Sequence, residues 1–260
     1  MKISVITVCF NSEATIADTL DSVAQQTHPD VEHIIVDGAS RDRTLAIVHA
    51  HPTVPAYILS EPDRGIYDAM NKGLALATGE WIGFLNADDT LASPQALARI
   101  ADTGTASRAD AVYGDLTYVR KDSPSSVLRH WRSGEFKPTQ LRFGWMPPHP
   151  TFYVRRDALP VPAGFDLRFR IAADYDFMLR CLSRPGFRAA YIPEILVRMR
   201  AGGASNHSLS ALFRKSREDY AVLRRNRVGG LASLLCKNAR KLPQFGLSSL
   251  SKDELASRRL

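Results

Sequence analysis

The sequence lacks three features, and each absence disfavours a class of protein. Its three cysteines lie far apart, at Cys9, Cys181 and Cys236, with no CxxC pair. Neither a disulfide framework nor a zinc site is therefore predicted. No apolar run approaches the roughly 20 residues of a membrane-spanning helix, and no signal peptide follows Met1. GxGxxG and GxxxxGK(S/T) are both missing, which disfavours dinucleotide-binding dehydrogenases and P-loop enzymes. We expect a cytoplasmic protein of another class.

Basic charge is concentrated at the C-terminal end. Residues 201–260 carry 12 Lys and Arg against 4 Asp and Glu, whereas residues 1–200 carry 22 against 23. We expect residues 206–260 to form a basic helical extension that contacts the inner face of an anionic membrane, or an anionic lipid-linked substrate. The alternative is a solvated basic helix without a partner. Nothing in the rest of the chain resembles a nucleic-acid-binding module, so nucleic acid is not an expected partner.

Strands and helices alternate over the first hundred residues. Short apolar stretches predict strands at 3–8, 33–36, 57–59 and 81–85, and helically spaced apolar positions predict helices between them. This alternation predicts an α/β fold in which a mostly parallel central sheet is flanked by helices.

After residue 93 the pattern is less regular. Strands are predicted at 111–113, 116–119, 127–131 and 151–154, and helices at 175–182 and 209–225. In the last helix Leu212, Phe213, Tyr220 and Leu223 form the predicted apolar face. We expect one domain, residues 1–205, with halves 1–100 and 101–205, followed by the extension.

Acidic residues stand at predicted element ends. Asp88 and Asp89 follow the strand that begins at Trp81, where ligands of open α/β sheets bind. Two acids there suit a hard divalent metal that also takes substrate phosphate oxygens, or they simply begin a turn or cap a helix. Asp37 ends another strand at the same predicted edge. Asp174 begins a helix, where a carboxylate can be a structural partner of the backbone or a general base.

The polar segment 61–73 lies at another helix start. Arg64 and Lys72 can bind phosphates there, and Asn71 can hold the loop through side-chain hydrogen bonds. Each basic residue can equally be a solvated surface charge.

Taken in order, these segments resemble the family 2 glycosyltransferases, which have the GT-A fold. The resemblance covers roughly the first 200 residues. It rests on an ITV strand followed by NS at 11–12, then VDGASRD at 36–42, AMNKG at 69–73, ATGEW at 77–81, NADD at 86–89 and DYDF at 174–177. The run GIYDAMNKG at 65–73 is most similar to the bacterial branch that builds exopolysaccharide, colanic-acid-type and lipopolysaccharide chains.

The resemblance implies an inverting, metal-dependent hexosyltransferase. It would move a sugar from a nucleoside-diphosphate sugar, a UDP-sugar by expectation, to a hydroxyl of a glycan or lipid-linked acceptor. Residues 1–100 would be the nucleotide-binding half and 101–205 the acceptor half. Asp174 would be the catalytic base, and Asp88 and Asp89 would hold Mn²⁺ or Mg²⁺. The implied nucleotide-binding residues are Thr7, Cys9, Asn11, Asp37, Gly38, Ser40, Asn71, Lys72 and Asp88, with residues 7–10 lining the base pocket.

Two positions depart from the family pattern. Asn86 stands at the first position of the acidic DxD element, where Asp is usual. Arg200 stands where relatives often have a histidine, which leaves a histidine metal ligand in doubt. His149 or His207 can take that place.

On the acceptor side the resemblance points to His149, and Trp145 and Trp131 can stack on a sugar ring, although large aromatics are usually core residues. Two rival functions stay open. One is a nucleotidyltransferase, which also pairs a metal with a nucleotide on an α/β sheet. The other is a sugar-nucleotide-binding protein without catalysis, which Asn86 and Arg200 make conceivable.

Overall fold

A mixed β-sheet with helices on both faces forms the core of the protein. The computed structural model describes residues 1–123, 125–202 and 209–239. The first elements are β1 (Ile3–Cys9), α1 (Ile16–Ala24), β2 (Val31–Asp37), α2 (Thr44–Ala50), β3 (Tyr57–Ser60), α3 (Ile66–Leu76), β4 (Trp81–Phe84), β5 (Thr90–Leu91) and α4 (Ala96–Ser107). They are followed by β6 (Ala111–Val119), β7 (Val127–Trp131), β8 (Tyr153–Arg155), α5 (Ala173–Leu182), β9 (Ala189–Arg200), α6 (Leu209–Arg225) and α7 (Leu231–Ala239). Short 3-10 helices span Pro138–Phe143, His149–Thr151 and Arg156–Ala158.

The strand order in the described sheet is β3-β2-β1-β4-β8-β6-β9-β5, with β7 paired to β6. The four strands β3, β2, β1 and β4 are parallel, as the alternating sequence pattern predicts. Beyond β4 the sheet is mixed, because β8 runs antiparallel to both β4 and β6, whereas β9 is parallel to β6. The predicted α/β class is confirmed, and the continuous parallel part of the sheet lies within residues 1–100.

Alternate side chains of β1 enter two different hydrophobic clusters. Ile6 and Val8 pack with residues of α3 and α5, whereas Ile3 and Val5 pack with residues of α4. Successive strand residues point to opposite faces of a sheet, so β1 is covered on both sides. All seven of its residues are buried. The loops at its carboxyl end therefore stand on a rigid base.

Two of the later strands differ from prediction. The predicted strands 111–113 and 116–119 are the single strand β6, and Gly114 marks a shift in its pairing with β9 rather than a break. A Cβ on Gly114 would lie 2.6 Å from Leu196 Cδ1, so glycine permits the close approach of the two strands. Strand β9 itself escaped prediction because Pro193 interrupts its pattern, a residue that central strands rarely contain.

The C-terminal helices form one predicted and one unpredicted element. The predicted helix 209–225 is present as α6, and α7 follows it. The predicted apolar face is wrong in part: Leu223 is buried beside Val222, but Phe213 and Tyr220 are exposed. Among the α6 side chains described, from residue 213 onward, the buried ones are Asp219, Val222 and Leu223. The side chain of Leu212 and residues 240–260 lie outside the described residues.

None of the helices within the described ranges combines the length and the apolar character that are needed to cross a bilayer.

Lowering the pH is expected to destabilise the protein through His33 in β2. Its Nε2 lies 3.0 Å from the hydroxyl of Thr7, which is fully buried. Burial lowers the pKa of His33 from 6.5 to about 3. Because the unfolded chain takes up this proton first, the contribution of His33 to stability is complete above pH 6.5. It is lost as the pH falls toward 3, by up to about 1.4 kcal/mol per pH unit.

The variant His33→Gln isolates this effect, because the glutamine amide still offers Thr7 a hydrogen-bond partner but does not titrate. Its unfolding free energy, measured by urea denaturation across this pH range, should fall less steeply than that of the wild type. Equal slopes in the two proteins would show that His33 is not the titrating group.

Candidate active site

Asp37 joins the carboxyl ends of three parallel strands. It ends β2 and is fully buried. Its Oδ2 accepts hydrogen bonds from the Ser40 backbone N–H (3.0 Å) and the Ser60 hydroxyl (2.7 Å). Its Oδ1 accepts from the Ser40 hydroxyl and, at 3.6 Å, from the Cys9 thiol. Burial and then the charge of Asp37 raise the pKa of Cys9, so this thiol stays neutral. These side chains therefore fix the loops around the sheet edge.

The loops after β1 and β2 present backbone and an aromatic ring to solvent. Asn11 adopts φ 49°, and its backbone N–H donates to the Ser40 hydroxyl (2.8 Å). Phe10 is 61% exposed. A Cβ on Gly38 would lie 3.4 Å from the Phe10 ring and would clash with the Asp63 carboxylate. Phe10, Gly38 and Asp63 thus lie side by side at this edge.

Asn71 on α3 connects two distant segments. Its Nδ2 donates to the Phe165 carbonyl (2.9 Å), and its Oδ1 accepts from the Phe165 N–H (2.7 Å). The ring of Phe165 packs edge-on against Phe84 at 5.0 Å and stacks on Phe177 of α5 at 4.9 Å. Asn71 does hold a loop by side-chain hydrogen bonds, and that loop leads to the helix of Asp174.

Removing this connection is expected to destabilise the fold. Asn71→Ala deletes two hydrogen bonds and leaves the Phe165 backbone groups unpaired, which should lower the unfolding free energy by about 1–3 kcal/mol. Chemical denaturation measures this loss. The matched control is Gln95→Ala at an exposed position, which should change stability by less than about 0.5 kcal/mol. Equal stabilities of the two variants would contradict the bridging role of Asn71.

Both basic residues of this segment have partners. Lys72 Nζ lies 2.8 Å from Glu61 Oε1 and donates to the Pro62 carbonyl at 2.8 Å. Arg64 pairs with Asp68 one helical turn away, at 2.8 Å. The Arg64 side chain is nevertheless 77% exposed, so it is the more accessible of the two cations.

Asp88 and Asp89 are adjacent in sequence but differ in exposure. Asp89 is fully buried and its Oδ2 accepts from the Asn86 amide (3.0 Å), whereas Asp88 is half-buried. Burial raises the pKa of Asp88, and burial together with the charge of Asp88 raises that of Asp89 well above its usual range. Within the described chain, Asp89 Oδ1 and Asn86 Oδ1 are buried without a hydrogen-bond partner. Unpaired oxygens beside two repelling carboxylates favour a cation here.

Arg200 brings a fixed positive charge to the same loop. It lies at the end of β9, is 7% exposed, and donates to the Asp88 carbonyl at 3.3 Å and to the Asp18 carboxylate of α1. Its charge opposes the raised pKa of both Asp88 and Asp89. Across residues 1–123, 125–202 and 209–239, no three His, Cys, Asp or Glu side chains form a ready-made metal site. His207 falls outside these ranges.

Asp174 is half-buried in the first turn of α5. Its Oδ1 accepts from the Tyr175 N–H (2.8 Å) and lies 3.2 Å from the Tyr67 hydroxyl, which is 2.7 Å from the Ile171 carbonyl. Burial and the charge of Asp174 raise the pKa of Tyr67 well above its usual value. Asp174 Oδ2 accepts no hydrogen bond from the described residues. One carboxylate oxygen is thus held in place and the other is free to react.

The described part of the C-terminal extension holds this helix. Glu218 Oε2 of α6 accepts from the backbone N–H groups of residues 171–172, at 2.8 and 3.0 Å, and so supports the N-terminus of α5. Lys237 of α7 is buried 2.6 Å from Asp219 and 3.3 Å from the centre of the Tyr175 ring. The extension is therefore part of the support of Asp174.

The Tyr118 phenol lies within electrostatic range of acids from both halves of the chain. Burial raises the pKa of this phenol, Arg129 above its ring opposes the shift, and the charges of both Asp89 and Asp174 add to it. On the other side, Asp37 pairs with the last residue of β1, whose neighbour β4 leads to Asp88. Asp37 and Asp88 thus lie at the same edge of the sheet, and Asp174 is connected to this side through Tyr67 in the first turn of α3, the helix that follows β3.

The acceptor-side candidates occupy different places. His149 is 7% exposed, stacks on Phe84 at 5.4 Å, and lies near Asp174, although burial lowers its pKa. Trp145 is buried, donates to the Ser133 carbonyl (2.9 Å) and stacks on Phe136 at 5.4 Å. This placement favours core packing for Trp145.

Trp131 lines a separate cavity of about 390 Å³, together with Asp115, His130, Arg132, Tyr191, Pro193 and Ile195.

Comparison with known proteins decides the family. Residues 4–159 match the family model described as Glycosyl transferase family 2. The chain is also 36% identical over 217 residues to the PGL/p-HBAD biosynthesis glycosyltransferase of Mycobacterium bovis (strain BCG / Pasteur 1173P2), covering 82% of each chain. The chain belongs to glycosyl transferase family 2.

A further relative and a solved structure are also similar to this family 2 glycosyltransferase. It is 28% identical to the succinoglycan biosynthesis protein ExoO of Rhizobium meliloti (strain 1021), over 88% of its own length and 70% of that protein. Its fold matches the solved mannosyltransferase PcManGT from Pyrobaculum calidifontis in complex with GDP-Man and Mn²⁺, with a TM-score of 0.66 and 20% identity, over 98% of this chain and 77% of the other. The family resemblance and the GT-A fold are confirmed.

Three residues of the glycosyltransferase site had no assigned role in the sequence prediction. Ser60, the last residue of β3, donates to Asp37, and Tyr67, in the first turn of α3, donates to Asp174. Only their positions near a strand end and a helix start could have indicated them. Glu218 supports a helix start 46 residues before it, and no local pattern encodes that contact.

Proposed function

We propose that the protein transfers a sugar from a nucleoside-diphosphate sugar to an acceptor hydroxyl, with inversion at the anomeric carbon. One observation carries the proposal: Asp174 Oδ1 is held by the Tyr175 N–H and the Tyr67 hydroxyl, while its Oδ2 accepts no hydrogen bond from the described residues. We propose that this general base and the diphosphate site at Asp88 face one cleft. Membership of family 2 supports the same reading.

On the donor side, we propose that the nucleoside lies against the loops after β1 and β2. The exposed Phe10 ring offers a stacking surface for the base, and Gly38 leaves room beside it. Asp37 already accepts four hydrogen bonds, so its role is to hold the Ser40 loop that shapes this pocket. A UDP-sugar is the first donor to test, and GDP-mannose, which the structural neighbour binds, is the second.

The residues at the end of β4 fit a divalent cation. Mg²⁺ and Mn²⁺ sites need only one or two carboxylates when substrate phosphates supply the other oxygens. Asp88, half-buried and with a raised pKa, is the residue that would hold the ion, whereas Asp89 is fully buried and bonded to Asn86. A bound ion would offset charge on the departing diphosphate. The Mn²⁺ in the mannosyltransferase neighbour supports this assignment.

The chemical step then requires one proton transfer and one displacement. Asp174 Oδ2 takes the proton of the acceptor hydroxyl as that oxygen bonds to the anomeric carbon. The bond from this carbon to the diphosphate oxygen breaks on the opposite side, so the nucleoside diphosphate leaves and the configuration inverts. Base catalysis of this kind contributes about 10²–10⁴-fold. Tyr67 and Glu218 act indirectly, because they keep Asp174 and its helix in place.

The acceptor is proposed to be a glycan or a lipid-linked glycan of the cell surface, built at the cytoplasmic face of the membrane. The relatives named for PGL/p-HBAD biosynthesis and for succinoglycan biosynthesis support this class. His149 lies near Asp174 with its buried Nε2 unpaired among the described groups, which suits it to contact an acceptor.

Product analysis tests the proposal against its rivals. Sugar nucleotides are first screened by thermal shift with Mn²⁺ or Mg²⁺, and the stabilising donor is then incubated with the enzyme. Release of nucleoside diphosphate, abolished by a chelator, is the expected result. Release of pyrophosphate from a nucleoside triphosphate and a sugar phosphate would instead indicate a nucleotidyltransferase. Donor binding without any turnover, even with acceptor extracts, would indicate a binding protein.

A further inference from the structure

Three arginines without partners line one pocket at the junction of α6 and α7. A cavity of about 520 Å³ is lined by Arg142 of the 3-10 helix 138–143, by Arg224 near the end of α6 and by Arg227 just after it. Val228, Gly229 and Ser233 complete its lining. Within the described ranges, none of these guanidinium groups forms an ion pair or donates a hydrogen bond. The planar guanidinium group matches the geometry of a phosphate, and clustered arginines usually pair with anions. The pocket is therefore suited to bind a phosphate group.

Exposed apolar side chains lie on the 3-10 helix 138–143 and on α7, which also contribute Arg142 and Ser233 to the pocket. Leu231 and Leu235 are 64% and 63% exposed and lie one helical turn apart on α7. Phe143, next to Arg142, is 53% exposed. The 3-10 helix 138–143 and α7 are in direct contact, because a Cβ on Gly144, at the end of the 3-10 helix, would clash with the Lys237 side chain of α7.

A surface that carries both phosphate-binding arginines and exposed apolar side chains is suited to bind a bilayer. Amphipathic elements bind there when apolar side chains enter the acyl boundary and basic ones contact anionic headgroups. Nucleic acid would make little use of the exposed apolar side chains, and the excess of basic charge favours an anionic lipid surface over a protein partner. The charge of residues 201–260, 12 Lys and Arg against 4 Asp and Glu, has the matching sign.

We infer that this surface, defined by Arg142, Arg224, Arg227, Phe143, Leu231 and Leu235, docks the enzyme on an anionic phospholipid membrane with a lipid phosphate in the arginine pocket. The surface is built on α6 and α7, which also support Asp174 through Glu218 and Lys237. Docking would therefore hold the cleft beside the lipid surface. The inference is independent of the transfer reaction, because vesicle binding requires neither donor nor acceptor.

The test measures sedimentation of the full chain with vesicles of phosphatidylcholine mixed with phosphatidylglycerol, and with vesicles of phosphatidylcholine alone. The wild type should bind the anionic vesicles far more tightly than the neutral ones. The variant Arg142→Gln/Arg224→Gln/Arg227→Gln should bind them about 100-fold more weakly, since three basic contacts with the surface are lost. All three positions are exposed, so its thermal unfolding should match that of the wild type.

Matched controls separate a defined surface from general attraction. Arg99→Gln/Arg108→Gln/Arg188→Gln removes the same charge at exposed positions outside the surface, and it should bind within about threefold of the wild type. Leu231→Gln/Leu235→Gln should weaken binding by about tenfold or more, because apolar burial is lost.

The corresponding apolar control is Val54→Gln/Val161→Gln, at positions that are 74% and 96% exposed, and it should leave binding unchanged. Equal losses in the two arginine variants, or unchanged binding in the pocket variant, would overturn the inference. Stabilisation of the wild type but not the pocket variant by inorganic phosphate, with equal vesicle binding of both, would assign the pocket to a soluble phosphate group and also overturn it.

Discussion

Asp174→Asn is expected to reduce sugar transfer by at least about a hundredfold. An asparagine keeps the oxygen that accepts the Tyr175 N–H bond, so the start of α5 should be unchanged. It cannot take a proton from the acceptor hydroxyl, and the Oδ2 position loses its charge. Folding and affinity for the sugar nucleotide should therefore persist while turnover is lost.

The measurements are the rate of nucleoside diphosphate release with acceptor present and the affinity for donor by calorimetry. Asp102→Asn, at an exposed position on α4, is the matched control and should keep the wild-type rate. Turnover of Asp174→Asn close to the wild-type rate would remove Asp174 from the role of base.

Asp88→Asn is expected to weaken metal-dependent donor binding by roughly 10–100-fold. The carboxylate of Asp88 is the more accessible of the pair, and its loss removes the proposed ligand of the ion. Stability without metal should not fall, because burial and the charge of Asp88 together raise the pKa of Asp89, and the variant relieves that repulsion.

Calorimetry of donor binding with and without Mn²⁺ measures this effect. The wild type should gain affinity from the ion, and Asp88→Asn should bind equally weakly in both conditions. If Asp89→Asn abolishes the gain from Mn²⁺ and Asp88→Asn does not, the assignment of the metal ligand is reversed.

The parallel part of the fold could be predicted because its signals are local. Apolar stretches of four to seven residues between helices determine β1 to β4, and parallel strands bring their carboxyl ends to one edge. That rule alone was enough to place Asp37 and Asp88 together. That Asn71 would hold a loop by side-chain hydrogen bonds could also be expected, but its partner Phe165, 94 residues away, could not.

The rest depends on contacts between distant segments. Asp37 is expected to bind the nucleotide, and in the structure it also accepts a hydrogen bond from Ser60, 23 residues away, a contact that no local pattern encodes. The apolar face of α6 could not be located from periodicity, because Val222 and Leu223 pack on the domain while Phe213 remains in solvent. Strand β9 was hidden by Pro193, and its pairing with β6 is a long-range contact.

The most direct test is a crystal structure of the protein with Mn²⁺ and a non-hydrolysable donor analogue. We expect the nucleobase of the donor beside Phe10 and Gly38 and its diphosphate at Asp88. The anomeric carbon should face Asp174 Oδ2 on the side opposite the diphosphate. A donor bound away from this edge, or an Asp174 carboxylate on the same side as the leaving diphosphate, would contradict inverting transfer by this site.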